Sequence, residues 1–220
     1  MSATCLAPVR QIIRTREIPR WFVLVHAMER VAAGAVLLLF SPALILLALL
    51  IWAISRRPPL VGHLRVGQDG RPLWVLKYRT MWRSGGPRSP RLVEYISERV
   101  CPMKSAADPR VTSRFAQFLR RHSIDELPQL IHVARGQMSL VGPRPITAVE
   151  LQEHYGEYAA EILAARPGLT GLWQIMGRNR LSYRQRLRLD LFLVRHCCPR
   201  LYLRVFLRSI PRVLSGKDAW

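Results

Sequence analysis

Acidic residues are scarce in this chain: 14 Asp and Glu stand against 34 Lys and Arg in 220 residues, a formal charge of +20 at pH 7. Such a surface excludes strongly basic partners and attracts polyanions, whether nucleic acid, anionic lipid headgroups or phosphorylated substrates. Cysteine is also sparse. Cys5, Cys101, Cys197 and Cys198 show no CxxC spacing, and neighbours such as Cys197 and Cys198 do not easily close an unstrained bridge, so the thiols read as free ones in a reducing compartment. The N-terminal stretch lacks the short apolar core and A-x-A-type site of a cleaved signal peptide. The length suits one domain of about 150 residues plus a membrane anchor.

One long charge-free run is present. Residues 31–54 (VAAGAVLLLFSPALILLALLIWAI) are 24 residues, enough to cross a hydrocarbon core of about 30 Å as a straight helix. Ser41-Pro42 falls near its middle, where proline removes a helical hydrogen bond and kinks the axis. Arg20 and Arg30 precede the run and Arg56 and Arg57 follow it. Cations want to stay on the cytoplasmic side, which a bent, re-entrant element satisfies at both ends and a straight span does not. A kinked but ordinary transmembrane helix is the alternative, since prolines are tolerated in such helices. Residues 1–30, with five arginines among apolar and aromatic residues, read as an interfacial arm.

Residues 55–220 read as the soluble domain. Gly67-Gln68-Asp69-Gly70 separates two short apolar runs, Leu64 to Val66 and Leu73 to Tyr78, in the manner of a β-hairpin. The second run delivers Lys77 and Arg79 at alternate positions, hence on one face of a strand. They are either a solvated face or an anion site. Residues 82–107 read as a long loop around a brief helical piece, disordered or a lid. A helix follows through FAQFLRRHS. Residues 147–165 read as helical, with Glu150, Glu153, Glu157 and Glu161 as a solvated stripe. Ser182 is expected to cap a helix to about His196. In the C-terminal piece Arg200, Arg204, Arg208 and Arg212 share one face and Leu203, Leu207, Ile210 and Leu214 another, either a surface helix packed on the core or one lying at a bilayer surface. The expected fold class is therefore mainly α with a small β-hairpin or sheet, α+β.

The only adjacent carboxylates are Asp125 and Glu126, within SIDELPQLIHVARGQMSLVGPRP. Ser123 to Glu126 fits a capping box with Ser123 as N-cap and Glu126 at N3. A rival register opens the helix at Pro128 and leaves both acids in the preceding turn. Either register places a carboxylate near a helix N-terminus, where it stays ionised. It can then ligate a hard divalent cation or act as a nucleophile. Lys77, Arg79, Arg110, Arg114, Arg120, Arg121 and Arg144 exceed what two acids need. That surplus suits a substrate with several negative charges, such as a diphosphate, handled by Lys, Arg and Mg²⁺.

Eight motifs in order sharpen this: the apolar run broken by Ser41-Pro42, RVG at 65–67, KYRTM at 77–81, DPRVT at 108–112, LRRHSIDELPQL at 119–130, MSLVGPRP at 138–145, RPGLTGLWQ at 166–174 and GRN at 177–179. In these the chain resembles the bacterial polyprenyl-phosphate phosphoglycosyl transferases of the monotopic superfamily, from about Arg30 to its C-terminus. The resemblance implies a ping-pong reaction: Asp125 attacks the β-phosphate of a UDP-sugar and releases UMP, and polyprenyl phosphate then takes the phosphosugar from the carboxylate. It implies that Mg²⁺ works with Asp125 and Glu126, and that Lys77, Arg79, Arg110, Thr112, Arg114 and Arg144 contact phosphate and nucleotide. It also implies a re-entrant membrane helix and a catalytic domain on the cytoplasmic face of the bacterial inner membrane. Expected partners are a UDP-sugar, polyprenyl phosphate and membrane lipid, with no nucleic acid; a homodimer is left open.

There are departures. Ala33 stands where the family often has Asp, and Gln137 where an acid is common, which questions the helix-anchoring contacts and a carboxylate behind the site. With no preceding bundle of transmembrane helices the chain resembles the short form, and VGHLRVG hints at galactose or glucose. Two other classes compete: a membrane-tethered nucleic-acid-binding module, whose binding would fall steeply with salt, and an inactive scaffold for polysaccharide assembly, which turnover would exclude. Neither explains the acid pair.

Overall fold

The computed structural model describes residues 20–81, 90–97, 113–177 and 180–215. Its first element, α1 (Arg20–Ser55), is a helix of 36 residues. It begins about ten residues before the apolar run, so the second half of the expected N-terminal arm is helix. One stripe, His26, Glu29, Ala33, Leu37, Leu44, Ala48, Ile51 and Ser55, is turned toward the rest of the chain. These residues recur at near-helical spacing on both sides of Pro42. The opposite side leaves Leu38, Leu39, Phe40, Ile45, Leu46 and Leu49 exposed. Proline at 42 lacks the N–H that would bond the carbonyl four residues back, Leu38. The Ser41 hydroxyl donates to that carbonyl at 2.8 Å instead. The helix therefore continues through the Ser-Pro step.

Three strands follow, β1 (Leu60–Val66), β2 (Pro72–Tyr78) and β3 (Val93–Ile96), in the order β2-β1-β3. β1 and β2 form the expected antiparallel hairpin, with Leu60 opposite Tyr78 and Val66 opposite Pro72. Asp69 takes a left-handed conformation in its turn. β3 pairs parallel to β1. It falls where a brief helical piece was expected: Val93-Glu94-Tyr95-Ile96 is too short for a helical period to show, and its strand state comes from a partner edge far away in sequence. The rest of that loop, and its reading as a lid, lie outside the described residues.

Next come α2 (Arg114–Arg121), a 3₁₀ turn (Ile124–Gln129), α3 (Leu130–Ala134) and β4 (Ser139–Val141). They lead to α4 (Ala148–Glu150), a π turn (Leu151–Tyr155), a 3₁₀ turn (Gly156–Tyr158) and α5 (Ala159–Leu163). The helix expected over 147–165 is thus broken, with Gly156 at φ 46° near its middle. β5 (Gly168–Thr170) pairs parallel to β4. The two strands lie so close that a side chain on Gly168 would meet the Gly142 nitrogen at 2.1 Å, which explains glycine in both motifs. The chain closes with α6 (Leu172–Met176), α7 (Tyr183–His196) and α8 (Pro199–Ser215). Ser182 caps α7 as expected, and Gln185 closes a capping box with it.

α8 buries Tyr202, Val205 and Ser209, while Leu203, Leu207 and Ile210 are exposed. The helix therefore has both a core face and a separate outward apolar face. Cys197 and Cys198 are free thiols; Cys5 and Cys101 lie outside the described residues.

Hydrogen bonds on both sides of Pro42 join α1 to the rest of the chain. Glu29, buried, accepts from the Ser139 hydroxyl at 3.0 Å and the Leu140 N–H at 2.8 Å, and Arg30 Nε donates to the Ala134 carbonyl at 3.3 Å. Beyond Pro42, the Tyr78 hydroxyl donates to the Leu44 carbonyl at 2.8 Å. The anchoring that Ala33 put in doubt is carried one helical turn earlier by Glu29.

Candidate active site

Ser123 does not cap the turn that carries the acids. Its φ of 54° is left-handed and its side chain makes no capping bond. An N-cap needs an extended conformation. Ser123 instead ends α2: its N–H donates to the Arg120 carbonyl at 3.1 Å, and the His122 N–H to that of Phe118 at 3.1 Å, the way a left-handed residue commonly stops a helix. Asp125 and Glu126 lie in the 3₁₀ turn that follows, and Pro128 lies inside it, two residues before α3. The register with both acids ahead of the helix is the nearer one. α3 is only five residues long, too short for a substantial dipole, so the expected electrostatic help from a helix end is small.

Against this turn packs β2. Leu73 and Val75 face Leu130 and Val133, and Lys77, next on the same face, reaches Glu126 Oε1 at 2.6 Å. Tyr78, on the other face, packs with Ile51 and Leu119. Asp125 is buried, 9% exposed. Lys77 at the strand end and Glu126 of the acid pair, 49 residues apart in sequence, thus form one site. Such a short charge-assisted bond fixes where the ammonium sits.

The other expected residues divide. Arg79 lies past the end of β2, and its guanidinium donates to the Pro58 carbonyl at 2.7 Å and pairs with Glu94 on β3. Lys77 and Arg79 therefore serve different acids. Arg114 opens α2 and is exposed. Arg110 and Thr112 lie outside the described residues.

Arg144 belongs to a second cluster. Its guanidinium carbon sits 5.3 Å from the centroid of the Trp173 ring, with Arg186 at 5.6 Å from the same ring. Glu150 lies 3.8 Å from Arg144 and 3.7 Å from Arg65. Glu150 is 3% exposed, so it is not part of a solvated stripe. It closes a capping box with Thr147, accepting from the Thr147 N–H at 2.8 Å. Once bent back onto its own helix start, its carboxylate meets the two arginines. Glu153 and Glu157 are exposed as expected, and Glu161 pairs with Arg195 at 2.8 Å. Beneath Arg144, Asp190 is fully buried, and burial pushes its carboxyl up to about 8. Neither Asp190 oxygen accepts a bond of good geometry, although the backbone N–H of Arg144 and the charges of Arg144 and Arg186 favour its charged form. Burial, then the Arg144 charge, lowers the Arg186 guanidinium from its usual range. Glu29, Glu94, Trp173 and Asp190 were not singled out by sequence reasoning; only Trp173 carried a signal, as part of RPGLTGLWQ.

Gln137 also finds its reason. Its Oε1 lies 2.8 Å from His132 Nδ1, and His132 Nε2 lies 3.2 Å from the Leu76 nitrogen, whose N–H donates to it. Nε2 must then be the acceptor and Nδ1–H the donor, a neutral imidazole. Burial lowers the His132 pKa further. An acid at 137 would favour the charged ring; glutamine suits the neutral one.

A cleft opens beside Glu126, lined by Leu127, Leu169, Thr170, Gln174, Ile175 and Arg212 among others. Among the described residues no group of three or more His, Cys, Asp or Glu could hold a metal. Mg²⁺ does not require one, since it is commonly bound by one or two carboxylates with water and substrate phosphates. Asp125 and the Glu126 oxygen not bonded to Lys77 fit that donor set.

The family model described as bacterial sugar transferase matches residues 21–216. The chain belongs to this family. Among relatives, the exopolysaccharide production protein ExoY of Rhizobium meliloti is 39% identical over 199 residues, covering 89% of this chain and 87% of that protein. The UDP-glucose:undecaprenyl-phosphate glucose-1-phosphate transferase of Caulobacter vibrioides is 38% identical over 205 residues, covering 89% and 71%. The UDP-galactose-lipid carrier transferase of Erwinia amylovora is 37% identical over 206 residues, 89% of this chain but 41% of that protein. The matched region of the family takes in the acid pair, Lys77 and Arg144.

Proposed function

We propose that the protein transfers a sugar 1-phosphate from a UDP-sugar to polyprenyl (undecaprenyl) phosphate, at the cytoplasmic face of the bacterial inner membrane, as the first membrane step of exopolysaccharide, capsule or glycan assembly. The observation that carries this is the contact of Lys77 with Glu126 beside buried Asp125, an acid pair and a cation in one place. Relatives named as undecaprenyl-phosphate sugar phosphotransferases support the same chemistry.

In the first half-reaction an Asp125 oxygen attacks the β-phosphorus, the bond to the bridging oxygen breaks, and UMP leaves. In the second, an oxygen of the lipid phosphate attacks the same phosphorus and the carboxylate is restored. Asp125 and Glu126 would hold Mg²⁺, which would supply charge stabilisation. Lys77 holds Glu126 and adds a positive charge near the transferring group. Arg144 on Trp173, with Arg186 beside it, offers cationic and aromatic surface for the nucleotide; Arg79, Arg110, Thr112 and Arg114 remain phosphate contacts in this reading.

A re-entrant α1 agrees with the anchors: Glu29 and Arg30 before Pro42, and Leu44 and Ile51 after it, are held by the same domain. Contacts of one body with both halves of the segment support both flanks lying on one side of the membrane in this reading. The outward apolar face of α8, beside its arginines, suits the interface of that same leaflet. A soluble nucleotide and a lipid phosphate can meet only there.

The test is a UMP-release screen over a panel of UDP-sugars with Mg²⁺ and undecaprenyl phosphate in detergent or nanodiscs. Release with one sugar, and a lipid-linked product, is expected. Absence of release across the panel overturns the reading, and salt-sensitive nucleic-acid binding in its place favours the tethered binding module.

A further inference from the structure

The cleft beside Glu126 is unlike the rest of this basic surface. Leu127 from the 3₁₀ turn, Leu169 from β5, Ile175 from α6 and Val213 from α8 give it apolar walls. Thr170, Gln174 and Ser209 add neutral polar groups, and Arg212 is its one cation. Of its lining residues only Glu126 is acidic, and that carboxylate already accepts from Lys77. The cleft therefore offers Arg212 to an anion and little to a sugar, whose hydroxyls want several donors and acceptors.

Its position matters as much. One end is Glu126, the chain neighbour of Asp125. The other is the last turn of α8, the helix whose Leu203, Leu207 and Ile210 stand exposed on the outward face. A ligand with a single phosphate and a long apolar tail matches both ends: the head between Arg212 and the acid pair, the first carbons along Leu127, Ile175 and Val213, the remainder leaving along α8 into lipid. A nucleotide has no use for the apolar walls.

We propose that this cleft seats the polyprenyl phosphate acceptor, with Arg212 binding its phosphate. The inference rests on the function proposed above. In the step it serves, a non-bridging oxygen of the lipid phosphate attacks the phosphorus held by Asp125; that P–O bond forms, the Asp125–phosphorus bond breaks, and the carboxylate leaves as the diphosphate is completed. A guanidinium steadies the incoming dianion without removing the charge that makes it nucleophilic.

The two half-reactions separate the sites. Exchange of labelled UMP into UDP-sugar needs no lipid and reads the donor half alone. In Arg212→Gln this exchange is expected to stay within about twofold of the unaltered protein, while KM for undecaprenyl phosphate rises about tenfold, the size of one charge-assisted contact of roughly 1.4 kcal/mol. Arg188→Gln, at an exposed position of α7, is the control and leaves both readouts unchanged. As a measurement independent of any variant, a photoactivatable polyprenyl phosphate is expected to label peptides of α6 and α8 in the unaltered protein, with excess undecaprenyl phosphate competing.

Equal loss of exchange and transfer in Arg212→Gln overturns the proposal, because Arg212 then serves the donor. So does an unchanged KM, or labelling confined to peptides outside α6, α8 and the 124–129 turn. If the unaltered protein shows neither exchange nor transfer with any UDP-sugar, the proposed function itself fails, a result distinct from all of these.

Discussion

Glu126 and Glu150 are both glutamates in the company of cations, and they differ in every respect that matters for chemistry. Glu126 sits at the mouth of a cleft, its side chain 24% exposed, with one lysine at 2.6 Å. Glu150 is buried, accepts from its own helix start at 2.8 Å, and has two arginines no nearer than 3.7 Å. The first acid is held by a flexible side chain that a substrate phosphate can compete for. The second is held by backbone, and its two arginines stand at the outer edge of ion-pair distance. In a chain this short of acids, a buried carboxylate beside arginines organises cations, whereas a partly open one beside a lysine is available to act.

The contrast can be broken first at Asp125. Asp125→Asn keeps the volume and removes the nucleophile. UMP exchange should fall by about 10⁴-fold or more, with thermal stability unchanged within a degree or two. Exchange that survives sinks the covalent route. Next comes Lys77→Met, which removes the lysine bond to Glu126. A loss of about 10²-fold in turnover is expected, with a stability change under about 1 kcal/mol, because the pair is partly solvated. A large fall in Tm would make this pair structural and erase the distinction.

Glu150→Ala should do the reverse. Loss of the capping box and of the negative charge beside Arg65 and Arg144 is expected to cost about 2–4 kcal/mol, measured by denaturant unfolding. A neutral outcome would show that the arginines need no buried counter-charge.

The smallest effect lies behind β2. Because the folded His132 has a lowered pKa, the unfolded chain takes up a proton that the folded one refuses once pH falls below the ordinary histidine value of 6.5. Stability is therefore full above that value and declines as pH falls through the lowered one. Gln137→Asp should reduce this acid-side decline, since a carboxylate at Nδ1 favours the imidazolium. Tm against pH, with the His132 ring followed by NMR, measures it; an unchanged slope would refute the neutral-ring assignment.

Much of the fold could be read in advance because its signals are local. The hairpin of β1 and β2 follows from a turn sequence between apolar runs, and the start of α7 from Ser182 as its cap. The acid pair and Lys77 were recognised as residue types, but their contact at 2.6 Å was not readable. Ser123 misled because a serine three before a glutamate looks the same whether it starts one helix or stops another. Glu150 misled for a related reason: its spacing with Glu153, Glu157 and Glu161 is helical, yet the helix breaks at Gly156 and the capping box turns Glu150 inward. β3 and Glu94 gave no local signal, since a four-residue edge strand exists only through its partner.

By itself the sequence determined the polyanion preference, the apolar segment with its Ser41-Pro42 step, the α+β class and the residues available for phosphoryl chemistry, all properties of composition and short-range pattern. Tertiary structure decided which acid is open and which is buried, which cation meets Glu126, and that both halves of α1 are held by one domain. Those depend on contacts between residues tens of positions apart, whose energies come from burial and charge pairing that no window of sequence contains.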